Sequence, residues 1–279
     1  MVANFNNIVL VPTDFSEVCN NAASQAVDAA KLLNYKVVLL HVVDNDTKAY
    51  LKDEKLPAEA IDKMLGDLAN ELHVQGGVTV EYLSREGSIF TTISEVANEI
   101  GANLVYLGTH GKTGIQRFTG SFALKVVVSS AVPVVVVQKR PYTTQYKDIV
   151  LPISTDLSTE EKAKWATFIS KQFDATIHIL VIGDAGDLTY ESAHEIARLL
   201  GKNDVKYTFK EAEKHSQFGR QTIDYATSNN ADLIMIVTSP EKNRVSYLLG
   251  SYDEEIIFNT TQLPVLCVNP SDIEFDFKG

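Results

Sequence analysis

The stretch Gly108-Thr109-His110-Gly111-Lys112-Thr113-Gly114-Ile115-Gln116-Arg117-Phe118-Thr119-Gly120-Ser121 is the part of this chain best equipped for chemistry. Its four glycines permit positive φ and a close backbone approach to a ligand. Gly120-Ser121 stand where a helix is expected to open, and a helix N-terminus attracts anions. Lys112 and Arg117 add positive charge, so the segment suits a polyphosphate. The same glycines also fit a plain flexible turn. Gly111-Lys112-Thr113 is present, but Tyr106 stands where the first glycine of a G-x-x-x-x-G-K-[ST] Walker loop would be, and no G-x-G-x-x-G turn follows the first strand. A second candidate is Pro12-Thr13-Asp14-Phe15-Ser16. Asp14 or Ser16 would cap the next helix; alternatively, Asp14 contacts a purine or ribose.

Both segments need strands to aim them. Ile8–Val11, Val37–Val43, Val78–Leu83, Leu104–Leu107 and Val134–Val137 are apolar and β-branched enough for buried strands. Helical spacing falls between them, in Ala22 to Leu33, in Leu56 to Leu72 and in Ile89 to Ile100. A fourth helix is expected over about residues 121–130. The alternation implies an α/β domain with an open parallel sheet, covered on both faces. In such doubly wound sheets, ligands sit at strand carboxyl ends beside the switch in strand order. The two candidate segments follow strands one and four.

The chain also repeats itself. Ile8 to Ser16 has a counterpart in Ile149 to Ser158, which keeps Thr155-Asp156-Leu157-Ser158 but has one more residue between the strand and the acid. Val37 to Asp44 matches Ile177 to Asp184, Ala102 to Leu107 matches Ala231 to Ile236, and Pro133 to Val137 matches Pro264 to Val268. Gly120-Ser121 matches Gly250-Ser251. Blocks recurring in one order indicate a tandem duplication. The expected domains are residues 1–140 and 147–270, each a five-stranded doubly wound unit. The last strand of each would be a long apolar edge if left open. Val134–Val137 and Val265–Val268 are therefore expected to pair, making an internal pseudo-dimer. Two such chains are expected to associate further, as a homodimer.

Composition removes several classes of function. The 279 residues carry 25 basic and 36 acidic side chains, net −11. That balance argues against a general nucleic-acid or anionic-membrane binder. The first 140 residues hold 12 basic and 15 acidic residues, the remainder 13 and 21, so the second half is the strongly acidic one. Cys19 and Cys267 can form neither a disulfide framework nor a four-ligand zinc site and read as buried thiols in a reducing cytoplasm. No signal peptide or membrane span is expected. His41, within an apolar strand, reads as a buried hydrogen-bonded histidine. His73, His178, His194 and His215 have no metal-ligand spacing. No Ser/His/Asp order stands out for catalysis. Asp253-Glu254-Glu255 is expected early in a helix, and the tail around Asp272 to Phe277 is a frayed end or a docking segment.

The Pro-Thr-Asp-x-Ser start, the Leu-His-Val-Val-Asp second strand, the Gly-x-x-Gly…Gly-Ser loop and the Pro-Val-Val-Val-Val close resemble the universal stress protein family, in a tandem two-domain form. The resemblance implies an adenine nucleotide alpha-hydrolase-like fold. It also implies two classes of member, with G-x2-G-x9-G-(S/T) marking those that bind ATP. By resemblance, Asp14 and Val42 flank an adenine, Gly108 and Gly111 approach ribose and phosphate, and Gly120 with Ser121 hold the phosphate tail. Pro12, Thr13, His110, Gly114 and Phe122 complete the implied site. Only eight residues separate Gly111 from Gly120, where the pattern has nine. In the second repeat the spacing is nine, but Val237 and Pro240 replace the two glycines, which disfavours a triphosphate there. The expectation is ATP or a related adenine nucleotide in the first domain, with any magnesium carried by the phosphates. The chain would then be a stress-response or signalling module that hydrolyses ATP slowly at most and is read by a partner protein. The alternative is a nucleotide-free protein working through dimerisation and protein–protein contacts.

Overall fold

The computed structural model describes residues 6–109, 120–141, 146–155, 157–240, 247–249 and 252–269. His110, Gly111 and Gly114 of the glycine loop lie outside the described residues, as do Lys112, Arg117, Asp156, Gly250, Ser251 and the acidic tail. The chain divides into two compact units between Thr144 and Gln145.

The first unit runs β1 (Ile8–Pro12), α1 (Glu17–Leu33), β2 (Lys36–Val43), α2 (Asn45–Asp53), α3 (Ala60–Gly76), β3 (Val80–Glu86), α4 (Ile89–Glu99), β4 (Leu104–Gly108), α5 (Gly120–Ser129) and β5 (Val134–Val137). Its strands stand in the order β3-β2-β1-β4-β5, and every pairing is parallel. β1 and β4 are buried along their whole length, as continuous apolar runs between two helical layers should be. The order reverses between them: β2 and β3 lie on one side of β1, β4 and β5 on the other. That places the switch point at the carboxyl ends of β1 and β4.

The helix starts and stops have local causes. Ser16 is the N-cap of α1, its Oγ accepting from the Cys19 N–H, and Asn34 closes the helix in a left-handed conformation. The face Ala22, Ala23, Ala26, Ala29 and Ala30 is buried and lets the helix lie close on the sheet. That closeness explains one glycine. A Cβ on Gly108 would stand 3.0 Å from Cys19 Cα, Cys19 N and the carbonyl carbon of Val18, all backbone atoms of α1.

Two expectations change. β3 is an edge strand with mostly exposed or half-buried residues rather than a buried one, consistent with its charged Glu81, Arg85 and Glu86. The helix expected from Leu56 begins only at Ala60, and a separate α2 precedes it, capped by Asp44 Oδ1 accepting from the Thr47 N–H. Leu56 stays 39% exposed between them.

The second unit runs β6 (Asp148–Ile153), α6 (Thr159–Phe173), β7 (Thr176–Val181), α7 (Asp187–Lys202), β8 (Tyr207–Glu211), α8 (Phe218–Ser228), β9 (Leu233–Val237), β10 (Ser239–Pro240), β11 (Tyr247–Leu248), α9 (Asp253–Ile257) and β12 (Val265–Val268). Its main sheet repeats the first, β12-β9-β6-β7-β8, again parallel. β10 and β11 make a short antiparallel pair. Asp253, Glu254 and Glu255 occupy the first turn of α9 as expected, and both cysteines are buried. Among the described residues no helix is long and apolar enough to cross a membrane.

Because the atoms facing Gly108 are backbone, they have little room to move. Gly108→Ala is expected to cost about 1–3 kcal/mol through overpacking, read as a lower urea midpoint with an unchanged slope. An unchanged midpoint would show that α1 does not press on β4.

Candidate functional site

The loop after β1 is held from several sides. Asp14 Oδ1 accepts from the Ser16 N–H at 2.9 Å, and Thr13 Oγ1 accepts from the Phe15 N–H at 3.0 Å. Ser16, not Asp14, is therefore the helix cap, and Asp14 makes a local turn that aims its other oxygen elsewhere. Phe15 takes a left-handed φ of 63°, an unusual conformation for an aromatic residue. Its ring stacks on His41 with centroids 5.1 Å apart.

His41 determines where this loop sits. Fully buried on β2, its Nδ1 lies 2.8 Å from the Thr13 carbonyl oxygen, an atom that can only accept. Nδ1 must therefore carry the proton, and in the neutral ring Nε2 accepts from the Thr47 hydroxyl at 3.0 Å. Burial pushes the His41 pKa below the usual histidine value, and its bond to Thr13 and the nearby Asp44 and Asp14 only partly oppose that. The Cys19 thiol is pushed well up, first by burial and then by the neighbouring Asp14, so it is inert as a nucleophile.

At the switch point two polar atoms are left over. The β1–β4 register pairs Val9 with Leu104 and Leu10 with Val105. Asp14 follows the end of β1 by two residues and Thr109 directly follows β4, so both stand at the carboxyl ends of these neighbouring strands. Asp14 is 1% exposed and Thr109 fully buried. Among the described residues, neither Asp14 Oδ2 nor Thr109 Oγ1 meets a hydrogen-bond partner. A buried polar atom without a partner costs about 1–3 kcal/mol. Two of them at neighbouring strand ends make a place where a polar ligand atom would be stabilised.

The other residues of the implied site divide. Pro12, Thr13 and Val42 are buried beside Asp14, and each offers backbone rather than side chain. Gly108 opens the loop after β4, but the absent Cβ is explained by α1. Gly120 and Ser121 begin α5 as expected. The Phe122 ring is buried edge-on against Phe90, 5.8 Å away, and so contributes core packing. Thr109 and His41 were not in the implied set. Thr109 had one signal, a polar residue shared with Thr238 at the same place in the repeat. One strand over, a cavity of about 690 Å³ opens at the carboxyl ends of β2 and β3, lined by Asp44, Asp46, Lys48 and Glu86 among others. That volume lies within the usual range for small-molecule sites. Lys48 and Glu86 pair across its rim at 3.2 Å.

In the second unit, two of the corresponding described residues, Thr238 and Thr155, meet protein partners. The Thr238 hydroxyl, in Thr109's place, donates to Asn269 Oδ1. The Thr155 carbonyl, in Thr13's place, accepts from the Lys162 ammonium at 3.1 Å, and Leu157 O accepts from the same group. Lys162 is 5% exposed. After β9, Pro240 pairs with Tyr247.

A buried neutral histidine makes stability depend on pH. The unfolded chain binds a proton on His41 more readily than the folded one, so stability should fall as pH drops through and below about 6.5. His41→Gln keeps a donor for Thr13 but cannot titrate, so this part of the acid sensitivity should vanish. His41→Leu leaves the Thr13 carbonyl unpaired and should cost about 1–3 kcal/mol at every pH. Parallel pH profiles of wild type and His41→Gln in urea unfolding would show that His41 is not the titrating group.

Comparison with known proteins identifies the family and the fold. The model of the universal stress protein family matches residues 6–138. Universal stress protein MJ0531 of Methanocaldococcus jannaschii is 31% identical over 148 residues, 49% of this chain and 84% of that protein. Universal stress protein Sll1654 of Synechocystis is 31% identical over 136 residues, 46% of this chain and 83% of its own. A solved universal stress protein from Archaeoglobus fulgidus shares the fold at a TM-score of 0.72 and 19% identity, covering 95% of this chain and 99% of that one. The two relatives span half of this chain, and the solved fold nearly all of it, as a duplicated unit requires. The chain belongs to the universal stress protein family.

Proposed function

We propose that the first unit binds ATP or a related adenine nucleotide, and that the protein works in the cytoplasm as a stress-response or signalling module read by a partner protein. The observation that carries this reading is the pair of buried oxygens at the switch point, Asp14 Oδ2 and Thr109 Oγ1, which meet no partner among the described residues. In the second unit the Thr238 hydroxyl, in Thr109's place, meets Asn269 instead. Ligand polar groups would meet the first pair of atoms.

In this reading the base lies toward Val42 and the neighbouring cavity, the ribose near Asp14 and Thr109, and the phosphates toward the start of α5. Gly120 and Ser121 offer backbone N–H groups there, aided by the helix dipole. Magnesium would travel with the nucleotide, held by phosphate oxygens and water. Among the described residues no base or arginine is placed to activate water at this end, so any hydrolysis is slow. The eight-residue gap between Gly111 and Gly120 favours a second reading, a nucleotide-free protein acting through its surfaces.

Titration calorimetry with ATP separates the two readings. Binding to the wild type is expected to weaken by about tenfold in Thr109→Val, equivalent to ~1.4 kcal/mol, while the ligand-free variant is no less stable than wild type because an orphan hydroxyl has gone. Asp14→Ala should weaken binding further. No heat in the wild type, together with no ATP-dependent rise in melting temperature, would favour the nucleotide-free reading.

A further inference from the structure

The second unit holds a hydrogen-bonded cluster far from the carboxyl ends of its strands. Asp148 opens β6, His178 lies third in β7 and Thr208 second in β8. The parallel register sets His178 directly opposite Thr208 and pairs Asp148 with Thr176, two residues before His178. Strand alternation puts all three side chains on one face. His178 Nε2 lies 2.8 Å from Asp148 Oδ1, and its Nδ1 lies 2.8 Å from Thr208 Oγ1.

The chemistry of the partners determines where the protons sit. A carboxylate only accepts, so Nε2 carries the ring proton and donates it to Asp148. In the neutral ring, Nδ1 then presents a lone pair to Thr208, whose hydroxyl donates. This is a hydroxyl on a base that is itself oriented by an acid, the arrangement that activates a nucleophile. The His178 side chain is only 12% exposed, whereas Thr208 is exposed on an edge strand. Lys210, two residues further on the same face, brings an ammonium 5.2 Å from the Tyr225 ring centroid, and that ring lies 6.5 Å from His178. The fold does not demand this cluster. In the first unit the corresponding strand pair is Val38 opposite Glu81.

We propose that Thr208 is a covalent modification site that accepts acyl groups from activated acyl donors such as aryl esters and acyl phosphates. Thr208 Oγ1 forms a bond to the acyl carbon while its proton moves to His178 Nδ1. The bond from that carbon to the leaving oxygen then breaks, and the leaving group takes the proton from His178. The products are a threonine ester and a free phenol or phosphate, with no oxidant or reductant consumed. The Lys210 charge on the same face would attract anionic donors.

The test treats the full chain with p-nitrophenyl acetate and maps acetylated peptides by mass spectrometry. Thr208 is expected to gain one acetyl group faster than any other hydroxyl residue. His178→Gln should slow that labelling by about 100-fold, the usual scale of general-base assistance. Asp148→Asn should slow it too, and Thr208→Ser should keep it. Unfolding midpoints of the variants identify any change that reflects misfolding, and Asp148→Asn, at a half-exposed position, provides a reading if His178→Gln does not fold. Acetyl groups on lysines alone, or equal Thr208 labelling in wild type, His178→Gln and Asp148→Asn, would overturn the proposal.

Discussion

Parallel sheets concentrate a cost at one place. Their strands bury backbone and side chains together, so polar groups at the carboxyl ends must find partners or remain unpaired in a dry setting. At the switch between β1 and β4 most of these groups are satisfied: Thr13 N–H by Leu40 O, Thr109 N–H by Val137 O, and Thr13 O by His41. Asp14 Oδ2 and Thr109 Oγ1 are the remainder. The left-handed Phe15, the local turn at Asp14 and the histidine under Thr13 all serve to place that remainder. A fold selected for stability alone would have removed it with a valine or with one more donor.

The duplicated half shows what such removal looks like. Asn269 accepts the Thr238 hydroxyl, and the Lys162 ammonium bridges the loop carbonyls that His41 serves, in part, in the first half. Lys162 sits in the first turn of α6, where a positive charge opposes the helix dipole. The two carbonyls contribute directly to offsetting the cost of burying it. The charge distribution fits the same division. The nearly neutral half, with Lys112 and Arg117, keeps its orphan oxygens, while the more acidic half repels anions and has none among its corresponding described positions.

Much of this was legible in the residues. Apolar runs and helical spacing located the strands and most helices, and the repeat revealed the two units. Other features depend on packing across elements distant in sequence. The glycine at 108 invites a ligand-based explanation until α1 is seen against it. β3 looked like its neighbours, although Glu81, Arg85 and Glu86 already signalled an edge. Thr109 was hidden by the glycines around it. His41 was expected to be buried and hydrogen-bonded, but its partner, a loop carbonyl one strand away, has no mark in the sequence. Asp148, His178 and Thr208 are each 30 residues apart, a spacing that no local motif contains and that only the β6–β7–β8 register converts into contact.

Duplication lets one copy lose what the other must keep. A single-unit protein has to tolerate unpaired oxygens at its only switch point if a ligand is to use them. Here, among the described residues, the second unit pairs the Thr238 hydroxyl and the Thr155 carbonyl internally. Selection on that unit can then act elsewhere on the same sheet. The position that is Val38 in one half is His178 in the other, and the polar ladder that results lies at the opposite end of the strands from the switch. Substitutions in that ladder therefore need not disturb the first unit's site, and each half can diverge on a face the other does not use.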